Sequence, residues 1–187
     1  MTVLAIDTAT RSRTVVVVAT LEGEQIRGVI ARDQPAGTSL PAAIASLLPL
    51  TSLAVVVVTG PGTYTGVRAG MAGALGIAQA LDLPLYGIGS LEVAASWPRS
   101  QADGDAWVVA DAGRGALYVA RSSTAALPRR VAASAFDAGG DSVVSTEALP
   151  IDGIVVVDPA QALAHAVVLA LSRPPLDRAG LSAVYTE

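Results

Sequence analysis

The chain contains no cysteine and no lysine. Without Cys there is no disulfide, no thiolate nucleophile and no cysteine-held metal, and a reducing compartment is expected. Without Lys there is no Schiff base and no phosphate loop of the kind that needs one. All 12 basic residues are therefore Arg. Aromatic residues make up 4% of a chain that is 52% hydrophobic, so Val, Leu, Ile and Ala must fill the interior. That is the usual filling of sheets covered by helices, and it predicts an α/β fold. His165 is the only histidine. A catalytic zinc site wants three protein ligands, commonly with paired histidines, so the single histidine counts strongly against a zinc peptidase and His165 reads as an ordinary helix residue. No Gly-x-Ser-x-Gly elbow supports a serine triad. No run approaches the roughly 18 apolar residues of a membrane span, and no basic and apolar leader precedes the first strand, so a soluble cytoplasmic protein is expected. A net charge of −4 argues against holding nucleic acid unaided.

The 187 residues suit one domain or two small lobes sharing a cleft. Val3 to Asp7, Thr14 to Thr20 and Gln25 to Arg32 read as strands of an antiparallel meander. Ser39 to Leu50 has helical spacing, Leu53 to Val58 is a buried strand, Tyr64 to Leu81 is a long helix and Leu85 to Ile88 a strand parallel to the one before. The turn-rich stretch Ser96 to Gly104 marks a lobe boundary, dividing the chain into 1–100 and 101–187. Val108 to Gly115 leading into Leu117 to Ala120 repeats the opening pattern of Leu4 to Thr10 leading into Val15 to Val18, which suggests an internal duplication. Ile154 to Val157 and Pro159 to Leu171 complete a shorter second half.

Asp7, Thr8 and Thr10 lie where a strand meets a tight turn, and Asp111 and Gly113 occupy the matching place in the second half. Such turns offer backbone N–H groups and an Asp to phosphate and its metal, and they also serve simply to cap hairpins. The sharpest segment is Gly60 to Gly70. Its glycines permit close approach, and Thr63 or Thr65 can cap the helix that follows. On that helix Gly66, Gly70 and Gly73 share a face, which suits either packing on the chain's own sheet or a subunit interface.

Leu4 to Thr10, Gly60 to Gly70, Leu83 to Leu91 and Asp111 to Tyr118, taken in order, resemble the TsaB (YeaZ) family. Ala183-Val184-Tyr185 is similar to its closing Pro-x-Tyr. The resemblance implies a duplicated actin-like, ribonuclease H-like fold with mixed sheets flanked by helices and a trimmed second lobe. It implies a non-catalytic subunit required with TsaD, and with the ATPase TsaE, for N6-threonylcarbamoylation of adenosine 37 in tRNA. On that basis Thr63, Tyr64, Gly66, Val67, Gly70, Met71, Gly73, Ala74 and Ile77 are expected to dock TsaD, and the exposed apolar face to form a homodimer when TsaD is absent. tRNA is met only through the complex, no cofactor is tightly bound, and ATP or ADP enters only with partner subunits. The absence of a His-x-x-x-His metal motif agrees with inertness. The chain departs from the family at Ala36-Gly37-Thr38, where many relatives carry His, and at Asp111 to Tyr118, where the Arg is displaced by one place and a Glu is lost. The alternatives are a free-standing nucleotide-dependent kinase or ATPase using Asp7, Thr10 and Asp111, and, less favoured, a metallopeptidase-like protein.

Overall fold

A computed structural model describes residues 1–35, 40–47, 52–97 and 104–177. The family-like positions Ala36-Gly37-Thr38 and Ala183-Val184-Tyr185, the ends of the segment Ser39 to Leu50, and most of the proposed lobe boundary lie outside the described residues.

The first half builds β1 (Thr2–Asp7), β2 (Arg13–Glu22), β3 (Gln25–Pro35), α1 (Leu40–Ala45), β4 (Ala54–Val58), α2 (Tyr64–Ala80), β5 (Leu85–Ile88) and α3 (Ser90–Ala95). The second half builds β6 (Trp107–Gly113), β7 (Ala116–Arg121), β8 (Arg129–Ala132), β9 (Val143–Ser145), β10 (Ile154–Val156) and α4 (Pro159–Leu171). The first sheet has the order β3-β2-β1-β4-β5 and the second the order β10-β9-β6-β7-β8. Read from its other edge, the second order is the first one repeated. The pairings match as well: each meander is antiparallel, and the last two strands of each half run parallel to its first. The expected duplicated actin-like architecture is therefore present.

The second half is trimmed in a definite way. Between β8 and β9 it has a single 3-10 turn, Ala133–Ala135, where the first half has α1, and no helix joins β9 to β10 where the first half has α2. Its parallel strands shrink to three residues each.

β4 is apolar throughout, β1 is apolar between Thr2 and Asp7, and both are buried along their whole length apart from the half-exposed Thr2, so both faces of the first sheet are covered at its centre. α2 packs on β4 and β1, while α4 packs on β1, β2, β3 and β5. α4 lies beyond the boundary drawn from sequence, yet its inner residues belong to the first core. α3, from the first half, packs in return on β6, β7 and β9. Each sheet thus lends its last helix to the other lobe. The outer face of the second sheet closes a separate small core of Val109, Leu117, Val119 and Val143. The sequence reading found neither α3 nor the short strands β8 and β9, which carry too few residues for any periodicity to show.

Candidate functional site

Asp7 ends β1 and is buried. Its Oδ1 accepts the Ala9 N–H at 2.8 Å, closing a tight turn before β2. Asp111 does the same at the end of β6, where its Oδ1 accepts the Gly113 N–H at 2.8 Å. The duplication has thus placed two equivalent turns opposite one another, and both line one cleft between the lobes.

The chain's own side chains cross that cleft. The Arg13 guanidinium, from the first lobe, donates to the Thr146 carbonyl of the second. Arg11 Nε lies 3.7 Å from Asp111 Oδ2. Glu147 Oε1 accepts the Asp111 N–H at 2.9 Å. Gly113 has φ of 69°. That positive φ is what favours glycine there, while the nearest atom to a Cβ would be the movable Arg11 Nη2 at 2.8 Å.

Burial pushes the Asp7 carboxyl above its ordinary range, and the charges of Glu147 and Asp33 push the same way. The Ala9 N–H and the Arg13 guanidinium oppose them.

The cavity left between the turns is about 10 Å³, the room of one water molecule. The Thr8 hydroxyl donates to the Gly66 carbonyl at 2.6 Å. The Thr10 hydroxyl reaches the Arg13 carbonyl at 3.3 Å. Among the described residues no three His, Cys, Asp or Glu side chains gather as metal ligands. His165 sits on α4 with its ring edge-on to Trp97, centroids 6.1 Å apart, as a packing residue.

The glycine face of α2 is in close contact with the chain's own residues. A Cβ on Gly66 would stand 2.1 Å from the Thr8 carbonyl oxygen, one on Gly70 2.3 Å from Thr8 Oγ1, and one on Gly73 2.6 Å from Leu40 Cδ2. One on Gly62 would meet the Ala9 carbonyl oxygen at 2.5 Å. Within the chain the stripe receives the first Asp turn and α1. Val67, Gly70, Met71 and Ala74 are buried; Thr63, Gly66, Gly73 and Ile77 are half-buried; of the residues assigned to docking only Tyr64 is exposed. The Thr63 N–H, at the helix start, donates to the Ala9 carbonyl at 2.8 Å. The face that does meet solvent carries Thr65, Arg68, Ala69, Ala72 and Gly76.

Arg11, Arg13, Thr146 and Glu147 escaped the sequence reading. The two arginines follow the Asp7 turn directly and could have been suspected; Thr146 and Glu147 carry no motif.

The family model of TsaD, described as tRNA N6-adenosine threonylcarbamoyltransferase, matches residues 44–176. This chain belongs to that family. An uncharacterized protein of Mycobacterium tuberculosis is 43% identical over 129 residues, 64% of this chain and 58% of that protein. The chain thus spans a little over half the length of the first curated relatives it matches. The tRNA threonylcarbamoyladenosine biosynthesis protein TsaB of Bacillus subtilis is 44% identical over 64 residues, 34% of this chain and 28% of that protein. YeaZ from Pseudomonas aeruginosa shares the fold with a TM-score of 0.72 and 19% identity, covering 98% of this chain and 99% of that one. The resemblance to TsaB and YeaZ is borne out, and with it the actin-like fold.

Proposed function

We propose that this member of the TsaD family is a non-catalytic subunit that works with a TsaD transferase, joined by TsaE, in threonylcarbamoylation of adenosine 37 of tRNA. The observation that carries this is the cleft. Where a nucleotide-using relative would keep phosphate-sized space between two Asp turns, this chain has one water's room and bridges it with Arg11 and Arg13. The printed name of the Bacillus relative supports the pathway. The single histidine and the lack of cysteine support inertness.

The docking surface is assigned to the outward residues of α1 and α2. Ala42, Ala45, Ala69, Ala72 and Gly76 are exposed there, a patch of small side chains on two neighbouring helices beside the stacked Tyr64 and Arg68. A partner helix can approach such a surface closely. A homodimer in the absence of TsaD would use the same face. ATP or ADP enters with the partners, tRNA is met through the complex, and the assembly is cytoplasmic. No described helix is long and apolar enough to cross a membrane.

Reconstitution tests this directly. A TsaD transferase from the same cell, with its substrates and tRNA, should form product with this chain and lose most of it without. Equal product in both arms would sink the proposal. The paired Asp turns favour one other reading, a free-standing nucleotide-dependent enzyme. Calorimetry with ATP and Mg²⁺ on the isolated chain separates the two, because tight binding with turnover belongs only to the second.

A further inference from the structure

Three arginines meet at the hairpin turn between β6 and β7. Arg130 Nη2, from β8, donates to the Gly113 carbonyl at 3.5 Å. Arg11 reaches over from the first lobe, its Nη2 lying 2.8 Å from where a Cβ on Gly113 would stand. Arg114 is the next residue of the turn and is exposed. A fourth, Arg129, precedes Arg130 on the same edge strand and so projects from the opposite face, with its guanidinium 5.7 Å from the centre of the Trp107 ring. We propose that this strip of arginines takes the phosphate backbone of tRNA while the chain is held in its complex with the transferase.

The charge is concentrated and largely unanswered. The stretch 107–132 carries four arginines against one acid, Asp111, in a chain whose net charge is −4. Arg121 is held by Asp141 at 2.7 Å. Among the described residues no carboxylate stands within ion-pairing reach of Arg114, Arg129 or Arg130, and the Arg11–Asp111 pair is open at 3.7 Å. Guanidinium groups gathered without counter-charge raise the local potential, and an anion relieves it. Each can meet two phosphate oxygens through parallel N–H bonds.

The shape of the strip selects a long anion over a small one. Arg11, Arg114, Arg129 and Arg130 are all exposed, and the cleft beside their turn has the room of one water molecule. A polyphosphate backbone can lie along such an edge, whereas a free nucleotide finds nothing there to enclose it. Contacts of this kind position RNA without reading its sequence. The inference rests on the tRNA role proposed above and adds to it a direct contact by this chain.

The test is the affinity of the assembled complex for two different tRNAs, measured by fluorescence anisotropy over a range of salt concentrations. Arg114→Ala and Arg130→Ala should each leave TsaD binding intact, weaken both tRNAs several-fold and alike, and lower the salt slope by about one. Arg129→Ala, on the other face of the strand, should do the same, which keeps the test decisive if one turn variant fails to fold. Arg27→Ala, which removes a first-lobe arginine paired with Glu22, should change neither affinity nor slope. Unchanged affinity in the strip variants, an equal loss in Arg27→Ala, a loss of TsaD binding, or tight ATP binding through the same arginines would each overturn the inference. Product formation that needs this chain but ignores the strip would sink the contact and leave the tRNA role standing. Product formation without the chain would sink both.

Discussion

Gly70 and Gly76 lie on one helix and should answer the same substitution in opposite ways. A Cβ on Gly70 would collide with Thr8 Oγ1 at 2.3 Å, whereas one on Gly76 would meet nothing within 4 Å. Gly70→Ala should cost about 1–3 kcal/mol through overpacking, measured by urea denaturation. Gly76→Ala should add about 0.5–1 kcal/mol through helix propensity alone. Thr8→Ala in the Gly70→Ala background should recover part of the loss; no recovery would mean that the contact is not its cause. Asp7 gives a pH dependence at the same scale. Its folded pKa is raised above the ordinary 3.8, so the folded chain keeps a proton that the unfolded chain releases. Stability from this group is full below that ordinary value and is lost as pH rises through the raised one. Asn at this position can still accept the Ala9 N–H and carries no charge to bury. Asp7→Asn should therefore gain on the parent chain across that window and level off above it, and a difference independent of pH would contradict the assignment.

At the scale of elements, α4 is placed by its two ends. Asp158 Oδ1 accepts the Gln161 N–H at 2.7 Å, with Pro159 in the first turn. Asp158→Ala should cost about 1 kcal/mol in thermal or urea unfolding, the usual worth of an N-cap. At the other end Arg173 grips the buried Glu92 of α3, with its second contact at 3.1 Å, while Glu92 Oε2 accepts the Gly89 N–H at 2.8 Å. Removing the arginine leaves a buried carboxylate short of its partner. Because Arg173 is more than a third exposed, solvent recovers part of that cost. Arg173→Ala should lose about 1–2 kcal/mol, and Glu92→Gln in the same background should restore some of it.

At the scale of the whole molecule, two copies of one sheet topology exchange their final helices, so neither half can keep its core without the other. Unfolding should consequently be a single transition, with fluorescence of Trp97 and Trp107, one in each half, following one curve. Separate midpoints for the two probes would show that the lobes fold apart. The docking face can be tested without touching this core. Ala72→Arg adds bulk and charge to an exposed position on α2, so the isolated chain should keep its stability within about 0.5 kcal/mol. Its co-purification with TsaD should fall sharply, and retained binding would move the docking surface elsewhere.

What the sequence determined by itself was local. The apolar strands Val3 to Asp7 and Leu53 to Val58, the long helix from Tyr64 and the helix Pro159–Leu171 declare themselves because continuous apolar runs, 3.6-residue spacing and proline positions act over neighbouring residues. The recurrence of a strand ending in Asp was likewise visible at both ends of the duplication. Tertiary structure decided which way those elements face. The glycines of α2 looked equally suited to a partner or to the chain itself, since spacing fixes a shared face but not what covers it. The Thr8–Ala9 turn covers it, brought there by the β1–β4 pairing across some fifty residues. The cleft was undecidable for the same reason: Arg13, Asp33 and Glu147 meet Asp7 only after two sheets have formed and closed on each other.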